Sequence, residues 1–158
     1  MGTRVIGLGQ SAAGDDGVGL AVLQWIRDAG APAGTELLEA REATELIALL
    51  ETPRPVVLVD AMVGHGAIGE VLAFGVEALD APSRGPRPVS THGVDIGQAI
   101  ALARLLSGDA LSPAIWVVGV TIAPPRRFVQ GLSPAVHAAI PAAARAVLAR
   151  AGDEAQSG

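Results

Sequence analysis

Asp15 and Asp16 stand side by side between Gly14 and Gly17, just past the apolar run Val5-Ile6-Gly7-Leu8-Gly9. The order reads as a buried strand, a loop of small residues, two acids and the first turn of an apolar helix. A Gly-rich loop that cradles phosphate needs positive potential at the helix start, and two carboxylates oppose it. A metal site or a helix cap needs them. One acid can accept orphan N–H groups and meet the positive end of the helix dipole. Asp15 suits that cap, and Asp16 is then free to face a crevice. A third acid, Asp60, ends the run Val56-Val57-Leu58-Val59, and His92 stands before a later helical segment. Ligands of open α/β sheets sit beyond the carboxyl ends of the strands, so all three side chains belong to one edge. Two carboxylates and an imidazole suit a borderline metal such as Zn, Ni, Cu or Fe. Three ligands leave positions open for a substrate group. The plain alternative is that Asp60 bonds turn amides and the three never meet.

Other candidates carry less. His65 lies in a Gly-rich turn and reads as solvated, and His137 reads as a surface position of the last helix. No Gly-x-Ser-x-Gly elbow surrounds Ser11, Ser90 or Ser133, which weakens a serine hydrolase. Gly7-x-Gly9 is followed by Ala12, so a dinucleotide fingerprint is incomplete. No Gly-Lys-Ser/Thr exists, which excludes a P-loop. Arg126 and Arg127 read as solvated loop residues.

The elements that must position these residues follow from periodicity. Strands are expected at Arg4–Leu8, Thr35–Glu39, Val56–Asp60, Glu70–Phe74 and Ile115–Val120. Helices are expected at about Asp16–Ala29, stopped by Gly30, then Glu42–Glu51, Val94–Leu106, and from Ser133-Pro134 to about Arg150. Val18, Val22, Trp25 and Ile26 share a face of the first helix, and Ser133 N-caps the last, with Pro134 at its first position. Residues 78–88 hold three prolines and read as an exposed loop. Alternating strands and helices imply right-handed crossovers and a mostly parallel sheet covered on both faces.

Composition bounds the rest. The chain has 158 residues, half of them hydrophobic, with two Phe, two Trp and no Tyr or Cys. That suits one domain, here residues 1–151 followed by a flexible polar tail at 152–158, with a core of Ala, Val, Leu and Ile. A net charge of −5 disfavours nucleic-acid binding, which needs a basic face. Without cysteine there is no disulfide, no zinc–thiolate site and no thiol nucleophile. No apolar stretch is long enough to span a membrane, and no leader is expected at the start. A cytoplasmic monomer fits.

Five stretches in order resemble one family. Val5-Ile6-Gly7-Leu8-Gly9-Gln10 is similar to the opening strand and turn of the hydrogenase maturation proteases. These endopeptidases trim the C-terminus of the large subunit of nickel–iron hydrogenases. Gly14-Asp15-Asp16-Gly17-Val18-Gly19 resembles their Gly-Asp-Asp/Glu-Gly signature. Val57-Leu58-Val59-Asp60-Ala61 resembles their second acidic motif, and Ser90-Thr91-His92 falls at the place of their histidine. Val118-Gly119-Val120 with Gly131-Leu132-Ser133-Pro134-Ala135-Val136 is similar to their closing strand and last helix. The similarity runs over roughly residues 4–148.

The resemblance implies a three-layer α/β/α sandwich with a twisted, mostly parallel five-stranded sheet. It implies that Asp16, Asp60 and His92 are the catalytic and metal-binding residues. The metal implied is nickel presented by the large-subunit precursor, with other divalent ions as substitutes in a crystal. A metal-polarised carbonyl and a metal-activated water both remain open as chemistry. A non-proteolytic metal-binding or chaperone-like relative remains the alternative. Two departures stand out: Gln10 replaces the family's usual Asn, and Glu39-Ala40-Arg41-Glu42-Ala43-Thr44 replaces a Gly-Gly-Thr/Ser-like stretch. Lost glycines leave less room for a peptide backbone, so Arg41 and Glu42 either pair or reshape a substrate groove.

Overall fold

A computed structural model describes residues 2–9, 11–64, 66–80, 89–90, 96–124 and 131–156. In chain order, β1 is Arg4–Leu8, α1 Val18–Ala29, β2 Glu36–Ala40, α2 Leu46–Leu49, β3 Val56–Val63, β4 Val71–Gly75, α3 Glu77–Asp80, β5 Val89–Ser90, α4 Ile96–Ser107, β6 Ile115–Thr121 and α5 Pro134–Gln156. Short 3₁₀ turns at Ser11–Gly17 and Ala43–Glu45 lead into α1 and α2.

Five strands lie in the order β2-β1-β3-β6-β4, and the two-residue β5 pairs antiparallel with the end of β3. The β1–β2, β1–β3 and β3–β6 pairs are parallel, while β4 runs antiparallel to β6. Alternation along the strands splits the core into two layers. Val5, Val57, Val59, Ala61, Val118 and Val120 join α1 and α5 on one face. Ile6, Leu8, Val56, Leu58, Met62 and Val117 join α2 and α4 on the other. The expected α/β/α sandwich is therefore present, and its mostly parallel sheet is buried because helices cover both faces.

α1 lies very close to the sheet. A Cβ on Gly19 would strike the carbonyl oxygens of Leu8 and Val59, and one on Gly7 would sit 2.7 Å from the Gly19 oxygen. Gly7 and Gly19 are thus packing glycines, which accounts for the partial dinucleotide fingerprint without a nucleotide. Gly30, at φ 88, ends α1 as expected.

Several boundaries differ from expectation. α1 starts two residues later than Asp16, because the 3₁₀ turn takes up the residues before it. The segment after β2 is a 3₁₀ turn and a four-residue helix rather than one helix over 42–51, and it buries Leu46 and Leu50. β3 continues to Val63, since Asp60, Ala61 and Met62 keep their pairing with Gly119, Val120 and Thr121 of β6. Of the loop expected over 78–88, the first residues belong to α3, and residues 81–88 lie outside those described. α5 runs six residues past Arg150, and its Ala151 is buried with its carbonyl accepting a hydrogen bond from Thr3 Oγ1 at 3.5 Å. Neither Pro141 nor Gly152 inside the helix ends it.

Candidate functional site

The strand order places a topological switch between β1 and β3. From β1 the chain crosses by α1 to β2 on one side, then returns by α2 to β3 on the other. The two connections leave on opposite faces, the arrangement in which open α/β sheets form a ligand crevice at the carboxyl strand ends, here those of β1 and β3. Asp16 follows β1 through the 3₁₀ turn, and Asp60 lies on β3 one residue past Val59, the last β3 residue paired with β1. The two acids therefore flank the switch point.

Asp60 is wholly buried and Asp16 is 6% exposed. Alternation puts Asp60 on the α2/α4 face with Leu58 and Met62. Its Oδ1 accepts a hydrogen bond from the Ala61 N–H at 2.8 Å. Asp60 does not end its strand, contrary to expectation; β1 ends there, and β3 carries the acid onward inside the sheet. The backbone of Asp16 lies against the turn that follows β1, and α1 beyond it lies against β3. A Cβ on Gly9 would lie 2.5 Å from the Asp16 carbonyl oxygen, and one on Gly19 would lie 2.6 Å from that of Val59.

His92 lies outside the described residues, as do His65, Gln10, Arg126 and Arg127. Among the described residues no group of three or more His, Asp or Glu side chains is gathered to hold a metal ion. What the described part supplies is two buried carboxylates, Asp16 and Asp60, flanking the switch point of the sheet.

Asp15 does not cap α1. The N-cap of that helix is Gly17, with no side-chain cap bond. The carboxylate of Asp15 turns instead to the entrance of α5, where Ser133 N donates to Oδ1 at 2.6 Å and Ser133 Oγ donates to Oδ2 at 2.8 Å. Ser133 holds the N-cap place expected of it, since its carbonyl accepts from His137 N at 2.9 Å, but its hydroxyl proton goes to Asp15. Nothing in the sequence ties residue 15 to residue 133. The only signal was that one of two adjacent acids had no crevice to face. His137 is exposed, as expected.

Arg41 and Glu42 are both exposed, at the carboxyl end of β2 beside the crevice. The Ala40 carbonyl before them accepts from Gly9 N at 3.0 Å, so the segment abuts the turn that follows β1. The two do not pair: Glu42 Oε2 accepts from Thr44 Oγ1 at 3.5 Å, and Glu39 meets Arg27 at 3.7 Å. Among the described residues Arg41 has no ion-pair partner.

Comparison with known proteins bears on the fold and the family. Among solved structures, the [NiFe] hydrogenase maturation protease HybD from Thermococcus kodakarensis superposes with a TM-score of 0.70 at 21% identity, covering 96% of this chain and 99% of that one. The hydrogenase maturating endopeptidase HybD from E. coli gives a TM-score of 0.73 at 23% identity, over 95% and 91% of the two chains. The hydrogenase 2 maturation peptidase from a Thaumarchaeota archaeon gives 0.64 at 22%, over 95% and 97%. These likenesses show the fold. No curated protein sequence matches closely enough to count as a relative. The sequence model described as HycI, hydrogenase maturation protease, matches residues 33–150, a span that includes Asp60 and His92. The chain belongs to the hydrogenase maturation protease family.

Proposed function

We propose that this chain is an endopeptidase that removes the C-terminal extension of a hydrogenase large-subunit precursor once nickel is in place. Its nickel-recognising residues are Asp16, Asp60 and His92. The observation that carries this reading is Asp60: a wholly buried carboxylate within an apolar strand, at the switch point of the sheet. A carboxylate kept in such a place, and bonded to the Ala61 N–H, stands at the edge where open α/β sheets bind their ligands.

In this reading the metal arrives with the substrate. Asp16 and Asp60 lend oxygen donors and His92 an imidazole nitrogen to a centre held mainly by the precursor. Cleavage adds water across the peptide bond, the hydroxyl going to the acyl carbon and the proton to the departing amine. Because the site is half of a shared one, the isolated chain holds a free divalent ion only weakly.

The test is incubation with nickel-loaded and nickel-free precursor, followed by mass measurement of the precursor C-terminus. The parent chain shortens only the loaded form. His92→Ala abolishes shortening while thermal unfolding stays near that of the parent. Unimpaired cleavage by this variant overturns the assigned role. Loss of the extension from nickel-free precursor overturns the checking function.

A further inference from the structure

Asp15 stands next to Asp16, yet both of its carboxylate oxygens are committed to Ser133, 118 positions along the chain. We propose that Asp15 is a positioning residue: by clamping Ser133 it fastens the turn that carries Asp16 to the N-terminal end of α5. The kinetic consequence rests on the proposed function above; the clamp itself does not.

The turn needs such a fastening. Ser11–Gly17 is a 3₁₀ stretch, whose internal hydrogen bonds are poorer than those of an α-helix. Gly14 within it sits at φ 61, and α1 beyond it has no side-chain cap. α5 is the element best suited to hold the turn. It has 23 residues, and its Val136, Ala139, Ala143, Ala144 and Val147 are buried against the sheet. Pro134 has no N–H, so the Ser133 amide is the last backbone donor before the helix begins. A carboxylate there gains from a charged acceptor and from the positive end of the helix. The clamp therefore joins the first and last motifs of the chain, and it shows why two acids stand together: one faces the crevice and the other holds it in place.

The test is a double-mutant cycle on the full chain, read by precursor cleavage and by backbone hydrogen exchange. Asp15→Ala lowers kcat/KM on nickel-loaded precursor by about tenfold or more, because misplacing a group by ~1 Å at a reacting centre costs this much. Ser133→Ala keeps one of the two bonds and lowers it less. The double variant loses no more than Asp15→Ala, since both changes remove one clamp. Asp15→Asn recovers cleavage to within about twofold of the parent: its amide oxygen accepts from Ser133 N–H, and its NH₂ donates to Ser133 Oγ. Exchange also crosses over, with Ser133→Ala speeding it in residues 14–19 and Asp15→Ala speeding it at the start of α5. If Asn is as damaging as Ala and Ser133→Ala is harmless, Asp15 is itself a ligand and the proposal falls. If exchange changes stay within the mutated segment, or kcat/KM is unmoved in folded variants, it falls as well. A parent chain that cleaves no loaded precursor overturns the proposed function instead, and the exchange cross-effect still decides whether Asp15 holds the turn.

Discussion

At the scale of the residue, Gly19 and Asp60 show how tightly the site is built into the core. The Val59 carbonyl faces Gly19, and Asp60 is the next residue of β3. Any side chain at Gly19 must push α1 away from the backbone of β1 and β3, which cannot yield as a flexible side chain would. Gly19→Ala is therefore expected to destabilise the fold by about 1–3 kcal/mol, measured by urea unfolding. Because Asp16 lies three residues before Gly19, the same change lowers cleavage in conditions where the variant is still folded. A variant as stable as the parent means that α1 sits farther from the sheet than described. The placing of Asp16 after β1 and of Asp60 beyond the part of β3 paired with β1 was legible in the sequence, because acids are conspicuous after apolar strands. The clamp from Asp15 was not, since a hydrogen bond between residues 15 and 133 leaves no local pattern. A cap, the commonest use of an acid before a helix, was the natural but mistaken reading.

At the scale of the element, the strands were the most legible part, and β1 matches its expected bounds. Runs such as Val56–Val59 and Ile115–Val118 have no other use than a buried strand. Helix starts and ends were less legible, because they depend on contacts that local sequence does not carry. The 3₁₀ turn before α1 follows from the clamp and the close Gly9–Asp16 approach, and the last turns of α5 follow from the contact of Ala151 with Thr3. The segment between β2 and α2 is where function enters at this scale. Arg41 is exposed beside an edge that also carries Asp16 and Asp60, and its neighbouring acids are engaged elsewhere. A guanidinium so placed favours an acidic or carbonyl-rich precursor tail and disfavours a basic one, since specificity comes from unpaired charge as much as from attraction. Replacing both residues by glycine (Arg41→Gly with Glu42→Gly) is expected to broaden acceptance and weaken binding of the native partner. The measurement is kcat/KM on a cognate and a non-cognate precursor for both forms. Unchanged selectivity means that the segment is only scaffold.

At the scale of the whole molecule, the two edges of the sheet divide the labour. The carboxyl edge holds the buried acids, and the amino edge holds a charged lashing that fastens the chain to itself. There Arg4 Nε donates to Glu36 Oε2 at 2.7 Å and Arg4 Nη1 to the Leu49 carbonyl at 2.9 Å. Arg54 approaches Glu36 Oε1 at 3.7 Å and donates to the carbonyls of Gly2 and Gly34. Hydrogen bonding from Arg4, aided by the positive charges of Arg4 and Arg54, holds the Glu36 carboxyl below the usual glutamate range against the opposing effect of burial. A lowered folded-state pKa gives stability that is present above the ordinary glutamate pKa and lost as pH falls through the lowered one. Glu36→Gln is thus less stable than the parent at neutral pH, and the difference in Tm narrows as the solution is acidified across that window. The effect is modest, because the Glu36 side chain is 35% exposed and the pair is screened by water. Glu36 lies at the opposite edge from the crevice, so cleavage of loaded precursor at neutral pH is unchanged in this variant. His92→Ala shows the reverse, with cleavage lost and Tm kept. If Glu36→Gln lowers cleavage in proportion to Tm, the two edges are not independent. Activity then depends on the stability of the whole sheet rather than on the residues at its switch point.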